Sequence, residues 1–156
     1  MTRSSGEIRR EILIAAPQEV VFSFLVKPAL MAAWIGISHQ LDPQPGGIVR
    51  IEVSRGNVAR GRYVEVSPPR RVVFTWGFEH PSPGMPAIPA GSTQVEIDLE
   101  PEGKGTRVRL THRQLPRESR DRHMLGWGHY LQRLKSVSEG LESGPDPYAD
   151  LSVRHG

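Results

Sequence analysis

Residues 93–112 read TQVEIDLEPEGKGTRVRLTH, and this stretch decides how the chain is expected to fold. Two runs of alternating apolar and polar residues, 93–99 and 106–112, flank the turn-forming sequence PEGK at 101–104. Alternation with a period of two predicts β-strands with one buried face, and the short connection predicts that the two strands are antiparallel neighbours.

Matching apolar to apolar residues across this hairpin gives an expected register with a four-residue loop. The expected pairs are Leu99 with Thr106, Ile97 with Val108, Val95 with Leu110, and Thr93 with His112. The same register places Asp98 opposite Arg107 and Glu96 opposite Arg109 on the other face, where opposite charges stabilise strand pairs. We therefore expect the arginines of this basic stretch to lie on a solvated outer face of the sheet.

Outside the hairpin, turn signals from glycine and proline divide the chain into further elements. The predicted strands are 7–14, 48–53, 58–66 and 71–76, and the predicted helices are 17–27, 28–34 and 116–140. Met124, Trp127, Leu131 and Leu134 form an apolar stripe on the last helix. This order predicts one α+β domain over residues 7–140, with a flexible N-terminus over 1–6 and a loosely ordered tail over 141–156.

The composition of the chain excludes several classes of protein. A length of 156 residues suits one domain, and the lack of cysteine excludes disulfides and thiolate chemistry. No apolar run approaches the roughly 20 residues that cross a bilayer, and no secretory signal is visible, so we expect a cytoplasmic protein without a membrane span. The net charge of +3 is too small an excess to predict a nucleic-acid partner.

Several segments, taken in order, resemble one known family. They are 16–22, 28–34, 45–47, 61–76, 92–97, 105–112, and 126–127 followed by Leu131 and Leu134. They resemble the homologues of the activator of heat-shock protein 90 ATPase, within the START-like and birch-pollen-allergen-like superfamily. The resemblance implies a helix-grip fold, in which a curved antiparallel sheet wraps around the long C-terminal helix and leaves a cavity between them. The family commonly has two adjacent tryptophans where this chain has Trp34 followed by Ile35, which predicts a changed cavity end or a changed contact there.

The candidate ligand-binding residues are those expected to face this cavity. They are Trp34, Tyr63, Phe74, Trp76, Val95, Ile97, Leu110, His112, His123, Trp127 and Leu131. His112 and His123 either contact a ligand or are buried core histidines held by hydrogen bonds. The histidine spacing matches no metal-ligand motif, so neither a metal nor a cofactor is expected.

Two further features near the expected cavity call for an explanation. Gly126 and Gly128 flank Trp127 inside the last helix, where each costs about 1 kcal/mol relative to alanine, so we expect a close approach to the sheet or to a ligand there. Segment 77–91 holds four prolines and joins two strands, as a lid or a mobile linker would. As a lid, it would contact the ligand through Phe78, Met85 and Ile88.

Our leading interpretation is a non-enzymatic START-like domain that binds a small apolar or amphipathic molecule in the cavity. Apolar burial would supply most of the affinity, and His112, His123 or Tyr63 would orient the ligand. A chaperone-partner module acting through its outer surface is one alternative, as the family name suggests. A polyketide cyclase or aromatase that uses the same cavity is the other. The oligomeric state is not predicted.

Overall fold

Seven strands form a single antiparallel sheet in the computed structural model, which describes residues 7–81 and 86–147. The strands are β1 (Ile8–Ile14), β2 (Ser38–Leu41), β3 (Ile48–Ser54), β4 (Asn57–Ser67), β5 (Arg71–Trp76), β6 (Thr93–Glu102) and β7 (Gly105–Arg113). The helices are α1 (Gln18–Val26), α2 (Pro28–Met31) and α3 (Arg120–Ser138), and a short 3-10 turn at Arg117–Ser119 precedes α3. The strand order across the sheet is β1-β7-β6-β5-β4-β3-β2.

The sheet curves around α3, and the hydrophobic core of the described residues lies between them, as the helix-grip prediction required. The buried face of α3 carries Trp127, Leu131 and Leu134 of the predicted stripe together with Tyr130, whereas Met124 packs against the core from its edge. The two short helices α1 and α2 close one end of the core. Their place in the chain order agrees with the prediction.

The register predicted for the β6–β7 hairpin is wrong by two residues. Leu99 pairs with Val108 rather than with Thr106, and Val95 pairs with His112. The strands continue to Glu102 and Gly105, so the turn has two residues and begins with Gly103 at φ +60°. Glycine first is the pattern of a tight hairpin turn. A shift of two keeps every side chain on its face, so apolar matching could not separate the two registers.

The predicted charge pairs change with the register. The residue opposite Asp98 is Arg109 rather than Arg107, and Arg107 lies opposite Glu100. Glu96, which was expected opposite Arg109, lies opposite Thr111. Arg107, Arg109 and Arg113 of the basic stretch do lie on the outer face of the sheet, as predicted, and each forms ion pairs with glutamates.

Strand β2 was not predicted from the sequence. It is a four-residue edge strand, SHQL, that pairs only with β3 and alternates between exposed and half-buried residues. So short and polar a segment carries too little periodicity to indicate a strand.

The described ends of segment 77–91 lie side by side. The Phe78 amide donates to the Ile88 carbonyl at 2.8 Å, and Phe78 forms an isolated bridge with Pro89. Ile88 is buried in the core, and Phe78 packs against it. Met85 lies outside the described residues, and the role of the segment as a lid stays a prediction.

Residues 141–147 of the predicted tail hydrogen-bond to the body of the domain. The Ser143 hydroxyl donates to the Ala33 carbonyl at 2.7 Å. Asp146 accepts hydrogen bonds from the Tyr130 hydroxyl at 2.8 Å and from His129 at 2.9 Å. The predicted N-terminal segment 1–6 and the last residues, 148–156, lie outside the described ranges.

Candidate functional site

A hollow of about 10 Å³ lies between the sheet and α3, at the end where α1 and α2 pack. Nine apolar side chains line it: Leu25, Met31, Trp34, Ile35, Ile51, Phe74, Trp76, Ile97 and Trp127. This volume holds about one water molecule, whereas small-molecule sites usually measure roughly 300–1,000 Å³. The expectation of a ligand-sized cavity is therefore corrected, because the lining side chains fill most of the space between sheet and helix.

The structure places the candidate ligand-binding residues in two groups. Trp34, Phe74, Trp76, Ile97 and Trp127 line the hollow. The others lie around it without lining it: Tyr63, Val95, Leu110, His112 and Leu131 are buried, and His123 is half-buried. Strand and helix periodicity identified the inward faces correctly but could not show which inward residues border an empty space.

Four residues that line the hollow were missed, namely Leu25, Met31, Ile35 and Ile51. The first three lie on or directly after the two short helices, and Ile51 lies on β3. Of these four, Ile35 could have been identified from the sequence, because it occupies the place where the family commonly has a second tryptophan. The cavity end predicted to differ at Trp34 and Ile35 is therefore part of the hollow.

Three tryptophans line the hollow, and their indole N–H groups differ. The Trp34 N–H donates to the Phe24 carbonyl at 2.8 Å, and the Trp127 N–H donates to His112 Nδ1 at 3.0 Å. The Trp76 N–H is buried and has no acceptor within residues 7–81 and 86–147. An unsatisfied buried donor costs about 1–3 kcal/mol, so Trp76 is the polar group of this site that calls for an explanation.

His112 lies in a complete hydrogen-bond chain beside the hollow. Its Nδ1 accepts from Trp127, so its Nε2 carries the proton and donates to Thr93 Oγ1 at 2.8 Å. The Thr93 hydroxyl in turn donates to the Trp76 carbonyl at 2.8 Å. Burial, and secondarily His123, hold the pKa of His112 well below its usual 6.5, so the ring is neutral.

His123 joins His112 to the described end of segment 77–91 through ring contacts. Its ring centroid lies 5.2 Å from that of His112 and 6.1 Å from that of Phe78. His123 Nδ1 lies 3.0 Å from the Ser119 carbonyl, which fixes this nitrogen as the donor. Burial lowers the pKa of His123, and the bond to Ser119 offsets part of that effect.

Tyr63 is a second buried donor without an acceptor among the residues described. Its hydroxyl has no partner, and its ring packs edge-on against Phe74 at 6.2 Å between centroids. Burial raises the pKa of Tyr63, with a smaller contribution from Asp42. The hydroxyl is therefore neutral, and Tyr63 does not border the hollow.

The two glycines beside Trp127 have different surroundings. A Cβ at Gly128 would collide with the Arg10 guanidinium from β1, whereas a Cβ at Gly126 would meet nothing within 4 Å. The expected close approach is therefore present at Gly128 and absent at Gly126. The group that approaches is an arginine side chain on the edge strand.

The outer face of the sheet carries paired charges. Arg107 donates to Glu11 at 2.7 Å and to Glu102 at 2.6 Å, and Arg109 donates to Glu11 at 2.8 Å. Arg71 donates to Asp98 at 2.7 Å. Hydrogen bonds from Arg109 and Arg107 lower the pKa of Glu11. Ion pairs as exposed as these contribute little stability, and they leave this face with charges of both signs.

The part of the chain that the structure describes has neither a metal-binding cluster nor a membrane-spanning helix. No group of three histidine, aspartate or glutamate side chains there could hold a metal ion. No helix there is both long enough and apolar enough to cross a membrane.

A curved antiparallel sheet around a long C-terminal helix, with an apolar hollow between them, defines a protein of the helix-grip class. Residues 15–139 match the family described as activator of Hsp90 ATPase homolog 1-like protein. The chain belongs to this family, as its sequence segments predicted.

Solved structures with the same fold include proteins from distant organisms. The AHSA1-like protein of Rhizobium etli is 38% identical, with 95% of this chain and 92% of that chain covered and a TM-score of 0.73. CalU16 from Micromonospora echinospora is 26% identical, with coverages of 90% and 82% and a TM-score of 0.69. An Hsp90 activator from Plasmodium falciparum is 17% identical, with coverages of 85% and 95% and a TM-score of 0.68, which shows the fold alone. Comparison with curated proteins gave no match.

Proposed function

We propose that this protein binds a small, mostly apolar molecule between the sheet and α3, at the hollow bordered by Trp34, Trp76 and Trp127. The observation that carries the proposal is the hollow itself, whose described lining is apolar. Each of six elements supplies at least one lining side chain: α1, α2, β3, β5, β6 and α3. Burial of apolar ligand surface there would supply roughly 25 cal/mol per Å².

Binding requires the hollow to open, because its present volume admits about one water molecule. The protein then binds through a less populated open form, and the apparent affinity falls in proportion to that population. Two short helices and the residues after them form one wall, which lies outside the paired strands, so opening on this side requires the Arg133 and Ser143 hydrogen bonds to Trp34 and Ala33 to break. This wall includes Leu25, Met31 and Trp34.

A titration followed by NMR tests the proposal, with naphthalene as the apolar probe and laurate as the amphipathic probe. We expect saturable shifts at the residues that line the hollow. Leu25→Phe adds bulk inside the hollow and should abolish binding, whereas Val20→Phe adds the same ring on the exposed side of α1 and should leave binding unchanged. No saturable shift with either probe, or equal losses in the two variants, would contradict the proposal.

A chaperone-partner role is the second candidate, because the family description names activation of the Hsp90 ATPase. On this hypothesis the protein raises the rate of ATP hydrolysis by an Hsp90 of the same organism. An ATPase assay with and without the protein measures the effect directly. An unchanged rate at saturating protein would remove this candidate.

The cyclase alternative requires an acid or base that is free to exchange a proton with a substrate. Both ring nitrogens of His112 are engaged in hydrogen bonds, and burial lowers the pKa of His112 and of His123. The geometry therefore favours binding over proton transfer at these two residues.

A further inference from the structure

The residues that follow α2 are held by side chains from three different parts of the chain. The backbone carbonyls of residues 33–35 accept, in order, from the Ser143 hydroxyl at 2.7 Å, the Arg133 guanidinium at 2.9 Å and His39 Nε2 at 2.6 Å. The second and third of these residues line the hollow. The three bonds together therefore hold one wall of the hollow in its closed position.

Two of the three donors lie on elements that are packed or paired. Arg133 is on α3, whose buried face packs in the core, and His39 is on β2, which pairs with β3. Ser143 lies beyond the end of α3, in a C-terminal segment (residues 141–147) that has neither helix nor strand. None of the residues of this segment is buried, and Leu141 is 62% exposed.

The side chains of the C-terminal segment contact the domain through polar bonds. Besides the hydroxyl of Ser143, its carbonyl accepts from Arg133 at 3.2 Å. Asp146 accepts from the Tyr130 hydroxyl at 2.8 Å and from His129 at 2.9 Å, and both donors lie on α3. Because such bonds are individually weak and the described segment buries no apolar side chain, it detaches at a lower cost than α3 or β2.

We propose that the C-terminal segment is an autoinhibitory strap, which keeps the wall at residues 33–35 closed while it is bound and admits a ligand to the hollow when it detaches. The proposal rests on the proposed function and adds the element that controls ligand entry. A contact present only in the closed form lowers the open fraction, and the apparent affinity falls in proportion to that fraction.

The double variant Ser143→Ala/Asp146→Ala tests the strap in the full chain. NMR titration gives the dissociation constant of naphthalene. Hydrogen exchange at the Trp34 and Ile35 amides reports opening of the wall, because both amides donate to the Met31 carbonyl. We expect the dissociation constant to fall about tenfold, as for the loss of one or two hydrogen bonds. Exchange should speed up by a similar factor, because both quantities follow the open population.

Glu142→Ala is the matched control, because it removes an acidic side chain that is exposed on the same segment and takes part in none of these bonds. It should keep the wild-type affinity and exchange rates. Saturable binding with the same dissociation constant in the wild type and the double variant would overturn the strap and leave the proposed function standing, and so would an equal gain in the control. Absence of binding in all of these proteins would contradict both.

A measurement on the wild-type protein covers the case in which the double variant does not fold. At saturating naphthalene the strap should be detached, so the amide signals of Ser143 and Asp146 should move toward random-coil positions. Unchanged signals at these two residues, while the signals of residues that line the hollow shift to saturation, would overturn the strap.

Discussion

His112 is an ionisable side chain that its surroundings hold in the neutral state. Protonation of Nδ1 would place two donors face to face, since the Trp127 N–H already points at this nitrogen. The chain from Trp127 through His112 and Thr93 to the Trp76 carbonyl ties α3 to β5, β6 and β7. A fully satisfied buried network of this kind makes the position of Trp127 specific.

The stability of the protein should fall as the pH drops below about 6.5. The pKa of His112 is lowered in the folded state, so below about pH 6.5 the unfolded chain binds a proton that the folded chain does not. The stability contributed by neutral His112 is therefore present above about pH 6.5 and is lost as the pH falls below it. His123 and His39 contribute in the same direction. The free energy of unfolding, measured by urea denaturation between pH 5 and 7, should depend less steeply on pH in His112→Gln than in the wild type, and the difference in slope should approach one proton, or ~1.4 kcal/mol per pH unit, toward pH 5. Equal slopes would show that His112 does not carry the effect.

The two glycines of α3 should respond differently to alanine. Gly126→Ala should raise the free energy of unfolding by about 1 kcal/mol, because helix propensity improves and the new methyl group meets no neighbour. Gly128→Ala should gain less or nothing, because the methyl group displaces the Arg10 guanidinium. Chemical denaturation of the two variants side by side measures the difference, and equal gains would contradict the close approach at Gly128.

At the scale of elements, the C-terminal segment and α3 together hold the end of α2. The Arg133 guanidinium donates to the Trp34 carbonyl at 2.9 Å and to the Ser143 carbonyl at 3.2 Å. The Ser143 hydroxyl adds its bond to Ala33. One wall of the hollow is therefore fixed by contacts from the opposite end of the chain.

Arg133→Met should weaken this wall while keeping the aliphatic length of the side chain. We expect a loss of about 2 kcal/mol in the free energy of unfolding, as for hydrogen bonds from a charged donor, and faster hydrogen exchange at the Trp34 and Ile35 amides. Gln132→Met, at an exposed neighbouring position on α3, is the control. Unchanged exchange at both amides would show that Arg133 does not hold the end of α2.

The sequence predicted most elements because their patterns are local. The α3 stripe and the alternation in β5 and β6 reveal which residues face inward, and the bounds of β5 agree with the prediction at both ends. The β6–β7 register was missed because it depends on the two-residue turn at Gly103, and β2 was missed because its pairing with β3 determines it. Likewise, no local pattern shows that the Trp76 N–H lacks an acceptor while those of Trp34 and Trp127 have one.

At the scale of the whole molecule, the interior is packed almost to completion. Close packing of this kind stabilises the fold and opposes the entry of a ligand, so stability and affinity should change in opposite directions. The nine residues around the hollow are the place where this opposition can be measured.

Ile51→Ala should show the opposition directly. Ile51 is 1% exposed and lines the hollow, so its truncation should cost about 2–5 kcal/mol of stability while enlarging the space available to naphthalene. We expect tighter binding of naphthalene in this less stable variant. Leu134→Ala removes a similar buried volume away from the hollow and should lose stability without a gain in affinity. Equal affinities in the two variants would indicate that binding does not occur at the hollow.

All three tryptophans of the chain line the same small space. Light absorbed at the red edge of the protein spectrum therefore excites only this interior, and no indole elsewhere contributes background emission. The protein carries its own optical reporter: a guest that enters changes the polarity and quenching around every emitting group at once, so occupancy can be followed without a label.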